Sequence, residues 1–166
     1  MSVGSFCEEG SWVVAPRVFE FIVGLELRRA VRSQAFLTFV MFDTARERDG
    51  TESAPDEASL REIAHVIGGI VRDTDLVGHC DERTLALVLL HSDFEHSVRV
   101  IDRLVGRLEH YQFLSAIRIA IGAAAYPRHA VDVESLKHEA TMRLIVTLHG
   151  GAGRPAGLDD LSAGQN

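Results

Sequence analysis

Cysteine is nearly absent from this chain: Cys7 and Cys80 stand far apart in 166 residues, with no C-x-x-C spacing. That excludes a disulfide framework and a cysteine-based zinc site, and points to free thiols in a reducing compartment. No apolar run approaches the length of a membrane span, and the opening MSVGSFCEEG has neither the basic nor the apolar stretch of a secretory leader. A cytoplasmic protein with no membrane insertion is therefore expected. Positive charge is also in deficit, 17 Lys and Arg against 24 Asp and Glu for a net charge of −7, which argues against nucleic acid as a partner. A small anionic nucleotide could still be held by local arginines. Gly-x-Ser-x-Gly, P-loop and Cys/His nucleophile patterns are missing, and His79, His91 and His96 show no zinc-like spacing. No metal and no cofactor is expected.

What is present fits one globular domain: 46% hydrophobic and 25% charged residues suffice for a core without staples. Residues 1–15 lack periodicity and 150–166 are Gly-rich, so both are expected to be flexible, with the domain at 16–149. Phe19, Ile22, Val23, Leu25 and Ala30 recur at helical spacing from Pro16 to Arg32. Phe36 to Phe42 is a nearly continuous apolar run rich in aromatic residues, as in a strand buried on both faces. Pro55-Asp56-Glu57 opens a helix whose buried stripe is Leu60, Ile63, Ala64, Ile67, Ile70 and Val71. Leu76–Cys80 and Thr84–Leu90 read as a hairpin, and Ser92-Asp93-Phe94-Glu95 as a capping box before a helix carrying Val98, Ile101, Leu104 and Leu108. Ile117, Ile119 and Ile121 alternate into a further strand, and a last helix is expected from about Asp132 to Leu148, with Leu136, Ala140 and Leu144 inward. The order αβαββαβα predicts an α/β sandwich with one central mixed sheet flanked by helices.

Several strings resemble those of GGDEF domains, the palm-like nucleotidyl cyclases that form cyclic di-GMP, over about Arg17 to Leu148. They are Glu26-Leu27-Arg28-Arg29-Ala30, Asp43 after the first apolar run, Leu60 with Ala64, Arg72-x-x-Asp75, Ile119 to Ala124 followed by Tyr126-Pro127, and Leu136 with Ala140. The catalytic turn is rewritten. Where the family has Gly-Gly-Asp/Glu-Glu-Phe, this chain reads Asp81, Glu82, Arg83, Thr84, Leu85. The resemblance implies metal ligands at Asp43 and at the third letter of the turn, here Arg83, and a cation at that place repels a metal ion. Asp81 and Glu82 add bulk and negative charge where glycines admit a polyphosphate. The loop after Asp43 is shorter and lacks the guanine-reading asparagine, Glu57 falls near the guanine-reading aspartate, and Leu148 stands for the triphosphate-holding lysine. No cyclase activity and no catalytic residue is expected. Asp43 reads either as a residual metal ligand or as a strand-end carboxylate accepting backbone hydrogen bonds.

The Arg72-x-x-Asp75 motif resembles the family's inhibitory I-site, which binds cyclic di-GMP. An arginine fork suits guanine O6 and N7 or a phosphate, and a carboxylate suits guanine N1–H and N2–H. The resemblance places a second arginine at Arg103, with Arg99 and Arg107 on the same helical face. The bland alternative is an arginine at a helix C-terminus, paired locally with Asp75 or Asp73, and a solvated face of Arg99, Arg103 and Arg107 offset by Glu95, Asp102 and Glu109. The expected function is a catalytically inactive cyclic di-GMP receptor, with ligand-bridged homodimers or a protein partner implied by the resemblance. The alternative is a protein interaction module that binds no nucleotide.

Overall fold

The computed structural model describes residues 13–151 of the chain. Four helices and six strands follow one another as α1 (Pro16–Ser33), β1 (Leu37–Arg48), β2 (Thr51–Ser53), α2 (Glu57–Gly68), β3 (Leu76–His79), β4 (Thr84–Leu90), α3 (Phe94–His110), β5 (Ile117–Tyr126), α4 (Val133–Met142) and β6 (Leu144–Gly150). The sheet runs β3-β4-β1-β5-β6, with β2 folded back on the end of β1, and every strand pair is antiparallel. The parallel element is a single bridge, Val14 to Gly78. No helix among the described residues is long and apolar enough to cross a membrane.

The apolar run at Leu37 to Phe42 fills the central strand and feeds both faces. Leu37 and Phe39 join Phe19, Val23 and Leu27 of α1 and Leu136 and Ala140 of α4 in one core. Val40 and Phe42 join Leu60, Ile63 and Ile67 of α2 and Ile101, Leu104 and Leu108 of α3 in the other. Two helices therefore cover each face of one sheet, which is why the strands read as unbroken apolar runs. Asp56, Asp93 and Asp132 cap α2, α3 and α4, each accepting the backbone N–H three residues on at 2.8 Å.

Several expectations are corrected. The last predicted helix stops at Met142, and Leu144 to Gly150 forms the edge strand β6, leaving Leu144 58% exposed instead of inward. Ile145, Val146 and Thr147 are β-branched, which favours strand over helix. Leu25 faces outward and Leu27 takes the buried position. The acidic stretch after Asp43 is a hairpin, turned at Asp49 and Gly50, both with positive φ. Asp93, not Ser92, is the cap of α3; the Ser92 hydroxyl instead pairs with Ser97 Oγ at 2.9 Å. Val13 is buried and Val14 bridges to Gly78, so packing begins before Pro16. The flexibility expected for 1–12 and 152–166 falls outside the described residues.

Candidate functional site

Arg72 lies four residues past the end of α2, in the turn that leads into β3, so the helix-terminus explanation for it does not apply. The Asp75 N–H closes that turn on the Arg72 carbonyl at 3.0 Å. The Asp75 carboxylate points inward and is 2% exposed. It accepts the backbone N–H of Arg72 at 3.0 Å and that of Leu90, at the end of β4, at 3.2 Å. The Arg72 guanidinium lies 3.4 to 3.5 Å from the same carboxylate, and its Nη2 donates to the Leu90 carbonyl at 2.8 Å. Together the two side chains clasp both backbone polar groups of Leu90. The shortest contacts run to backbone, so the ion pair is the weaker part of the arrangement. Asp75 has its oxygens committed within the protein, while the guanidinium remains 61% exposed.

A cleft of about 710 Å³ opens beside this clasp, within the size range of small-molecule sites. Arg72 and Asp75 form one wall, Arg99 and Arg103 of α3 another, and Phe36, His91 and His96 complete it. Arg99 and Arg103 are exposed, and neither forms an ion pair among the described residues. The other carboxylate at the rim, Asp93, is held by the N–H and the ring Nδ1 of His96, at 2.8 and 2.7 Å. Those bonds, the backbone one foremost, keep its carboxyl below the ordinary carboxylate range. Guanidinium groups from two elements therefore face one space, with the nearby carboxylates already engaged. Arg107 goes elsewhere: it lines a separate cleft of about 1150 Å³ with His65, His110 and Tyr111, and Arg72 and Asp75 border both spaces.

Further along β1 lie the residues that the resemblance marks as catalytic. Asp43 lies inside β1, paired with Thr84 and Ala120 in the neighbouring strands, not at a strand end. Its carboxylate receives Arg118 Nη2 at 3.3 Å, which replaces the expected backbone bonds. Arg118, on β5, also donates to Glu52 of β2 through Nε at 2.5 Å and Nη2 at 3.2 Å. That hydrogen bonding holds the Glu52 carboxyl below its ordinary range, and the charge of Arg83 in the β3–β4 turn adds to it. Asp43 and Glu52 thus share Arg118, with the charge of Arg83 acting on Glu52 as well. This set does not fit a divalent cation, because Arg118 already occupies the space between the oxygens that would bind one. The turn itself is closed by the Arg83 N–H on Asp81 Oδ1 at 2.8 Å, with Asp81, Glu82 and Arg83 exposed. Glu57 pairs with Arg61 on α2, and Leu148 is buried in the core. Reading the sequence missed Arg118, Glu52 and Phe36. The one available signal was a charged residue, Arg118, set between Ile117 and Ile119 in an otherwise apolar strand.

No family model matches the sequence, and no curated protein matches it. Solved structures do. The GGDEF domain of YfiN (TpbB) from Pseudomonas aeruginosa superposes with a TM-score of 0.67 at 25% identity, covering 78% of this chain and 86% of that one. A DGC protein from Thermotoga maritima gives 0.67 at 20% identity, covering 80% and 96%. The GGDEF domain of DgcB from Caulobacter crescentus, solved in complex with c-di-GMP, gives 0.67 at 11% identity, covering 86% of each chain. With these neighbours and the sheet order described, the chain has the fold of a GGDEF domain.

Proposed function

We propose that this domain is a catalytically inactive receptor for cyclic di-GMP, which binds in the cleft between the 72–75 turn and α3. The observation that carries the reading is the convergence of Arg72, Arg99 and Arg103 on one space, with Arg72 pre-set by Asp75 and Leu90. A fixed guanidinium loses little freedom when it binds a ligand, and two exposed arginines supply charge for phosphates and forks for guanine O6 and N7. A structural neighbour that holds c-di-GMP supports the ligand class. Asp75 is here a positioning residue, since its oxygens are engaged. Inactivity is supported by Arg118 pairing with Asp43, which the resemblance marks as a metal ligand, and by a cation, Arg83, at the place it marks for the second ligand.

The test is isothermal titration with cyclic di-GMP beside GTP, on the wild type, Arg72→Ala and the double variant Arg99→Glu/Arg103→Glu. Micromolar or tighter binding of cyclic di-GMP, lost in both variants, is the expected result. Incubation with GTP and Mg²⁺ or Mn²⁺ should yield no cyclic di-GMP or pyrophosphate; turnover would overturn the inactive assignment. One observation favours a second reading. The commitment of Asp75 to Leu90 gives the Arg72–Asp75 pair a purely structural use, so a domain that binds neither nucleotide would be an interaction module built on this fold.

A further inference from the structure

Phe36 is the one large side chain of the central apolar run that the fold leaves exposed. Leu37, Phe39, Val40 and Phe42 are fully enclosed, whereas Phe36 is 48% exposed, immediately before β1. Exposure alone does not set it apart, since Phe21 is 63% and Leu114 83% exposed; its place in the lining of the arginine cleft does. Loose backbone does not account for that place. Gln34 caps α1 in the left-handed conformation with its N–H on the Ala30 carbonyl, and the Ala35 N–H reaches the same carbonyl at 2.9 Å, so the residue before Phe36 and the strand after it are both tied down. The ring stands at the rim of the arginine cleft, and it also lines a smaller neighbouring space of about 360 Å³ against α1, with His91 shared between the two.

An exposed aromatic face beside three arginines narrows the ligand chemistry. A bare phosphate would use the guanidinium groups and ignore the ring. A purely apolar ligand would use the ring and leave the charges unmatched. A nucleobase attached to a phosphate uses both, because every base has a flat face for stacking and guanine adds two acceptors for an arginine fork. We infer that Phe36 is the stacking platform of this cleft, holding one guanine of cyclic di-GMP face-on while the arginines take its edge and the phosphates. The inference rests on the receptor reading above and adds to it a specificity residue outside the Arg-x-x-Asp motif.

The experiment compares Phe36→Ala, Phe36→Leu, Phe36→Tyr and Phe36→Trp by titration with cyclic di-GMP and with inorganic pyrophosphate, each variant also followed through thermal melting. Base stacking on an aromatic side chain is worth about 1–3 kcal/mol, so Ala and Leu should weaken cyclic di-GMP binding about tenfold or more. Tyr and Trp should retain it, and melting should be unchanged throughout because the ring is outside the core. Leu, which keeps apolar bulk without a π face, separates stacking from simple contact. Pyrophosphate affinity, whatever its size, should be indifferent to position 36. Equal cyclic di-GMP affinity in wild type, Ala and Leu, with the Arg99→Glu/Arg103→Glu variant still dead, would overturn the role of Phe36 and leave the receptor standing. A wild type that binds no cyclic di-GMP would overturn both.

Discussion

With its side chain 2% exposed, the Asp75 carboxylate satisfies two backbone N–H groups that the turn and the end of β4 would otherwise leave without partners. Removing it strands buried donors and unpins the end of β4 from the turn, so Asp75→Ala should lower stability by about 2–3 kcal/mol in urea denaturation. Arg72→Ala should cost about 1 kcal/mol or less, since its guanidinium is largely solvated and its ion-pair distances are long. Equal costs would mean that the ion pair, not the backbone clasp, holds the turn. The same two residues show what the sequence could reveal. Their spacing announced a site; it did not say that the carboxylate turns inward, because a motif fixes separation along the chain and not side-chain direction. Cys80 makes a second residue-scale test. Burial pushes its thiol up to about 11, so at pH 8 in a Cys7→Ser background it should react with a thiol reagent far more slowly than free cysteine does. Rapid labelling would show that the environment of Cys80 opens readily.

Between elements, α4 and the sheet meet at a point where only glycine fits. A Cβ on Gly122 would lie 2.0 Å from the Ala140 carbonyl oxygen and 3.0 Å from that of Arg143, both backbone atoms with nowhere to retreat. Gly122→Ala should therefore destabilise the domain by about 3 kcal/mol or push α4 off the sheet, and a mild effect in denaturation would mean that this contact is looser than described. The close approach is also where α4 ends and β6 begins. Helical spacing of Leu136, Ala140 and Leu144 extended the predicted helix across that junction. The β-branched run Ile145 to Thr147 argued the other way, and the sheet edge offered by β5 decided it, pairing Ile121 with Val146 and Ile119 with Leu148. Elements whose apolar period was strong, such as α3 and the β3–β4 hairpin, were legible to within a residue or two, whereas α2 ends at Gly68, before Ile70 and Val71 of its expected stripe. The ones settled by a partner strand, β2 and β6, were not, because their own residues carry too little pattern.

Over the whole molecule, folding is coupled to protons in two separate pH ranges. Asp56 is held below its ordinary 3.8 by the Ser59 side-chain and backbone bonds, and Asp93 and Asp132 by the backbone N–H groups of His96 and Ser135. Glu52 is held below its ordinary 4.5 by Arg118. For depressed carboxylates the unfolded chain takes up protons first, so their contribution is complete above the ordinary values and disappears as pH falls through the lower folded ones. His129 acts at higher pH. Burial, with the charges of Arg143 and Arg128 adding to it and Glu139 opposing, keeps its imidazole below the ordinary 6.5, and its Nδ1 accepts the Ala125 N–H at 2.9 Å, which requires that nitrogen to be unprotonated. The unfolded histidine protonates more easily, so stability should begin to decline as pH drops below about 6.5 and level off once the folded imidazole titrates. Melting temperature against pH should thus show a shallow step starting near 6.5 and a second, steeper fall below about 4.5, where the capping carboxylates of α2, α3 and α4 and the Glu52 pair are lost together. His129→Asn keeps an acceptor for the Ala125 N–H but cannot titrate, so it should erase the upper step and leave the lower one in place. An upper step that survives in that variant would assign the transition to another of the eight histidines.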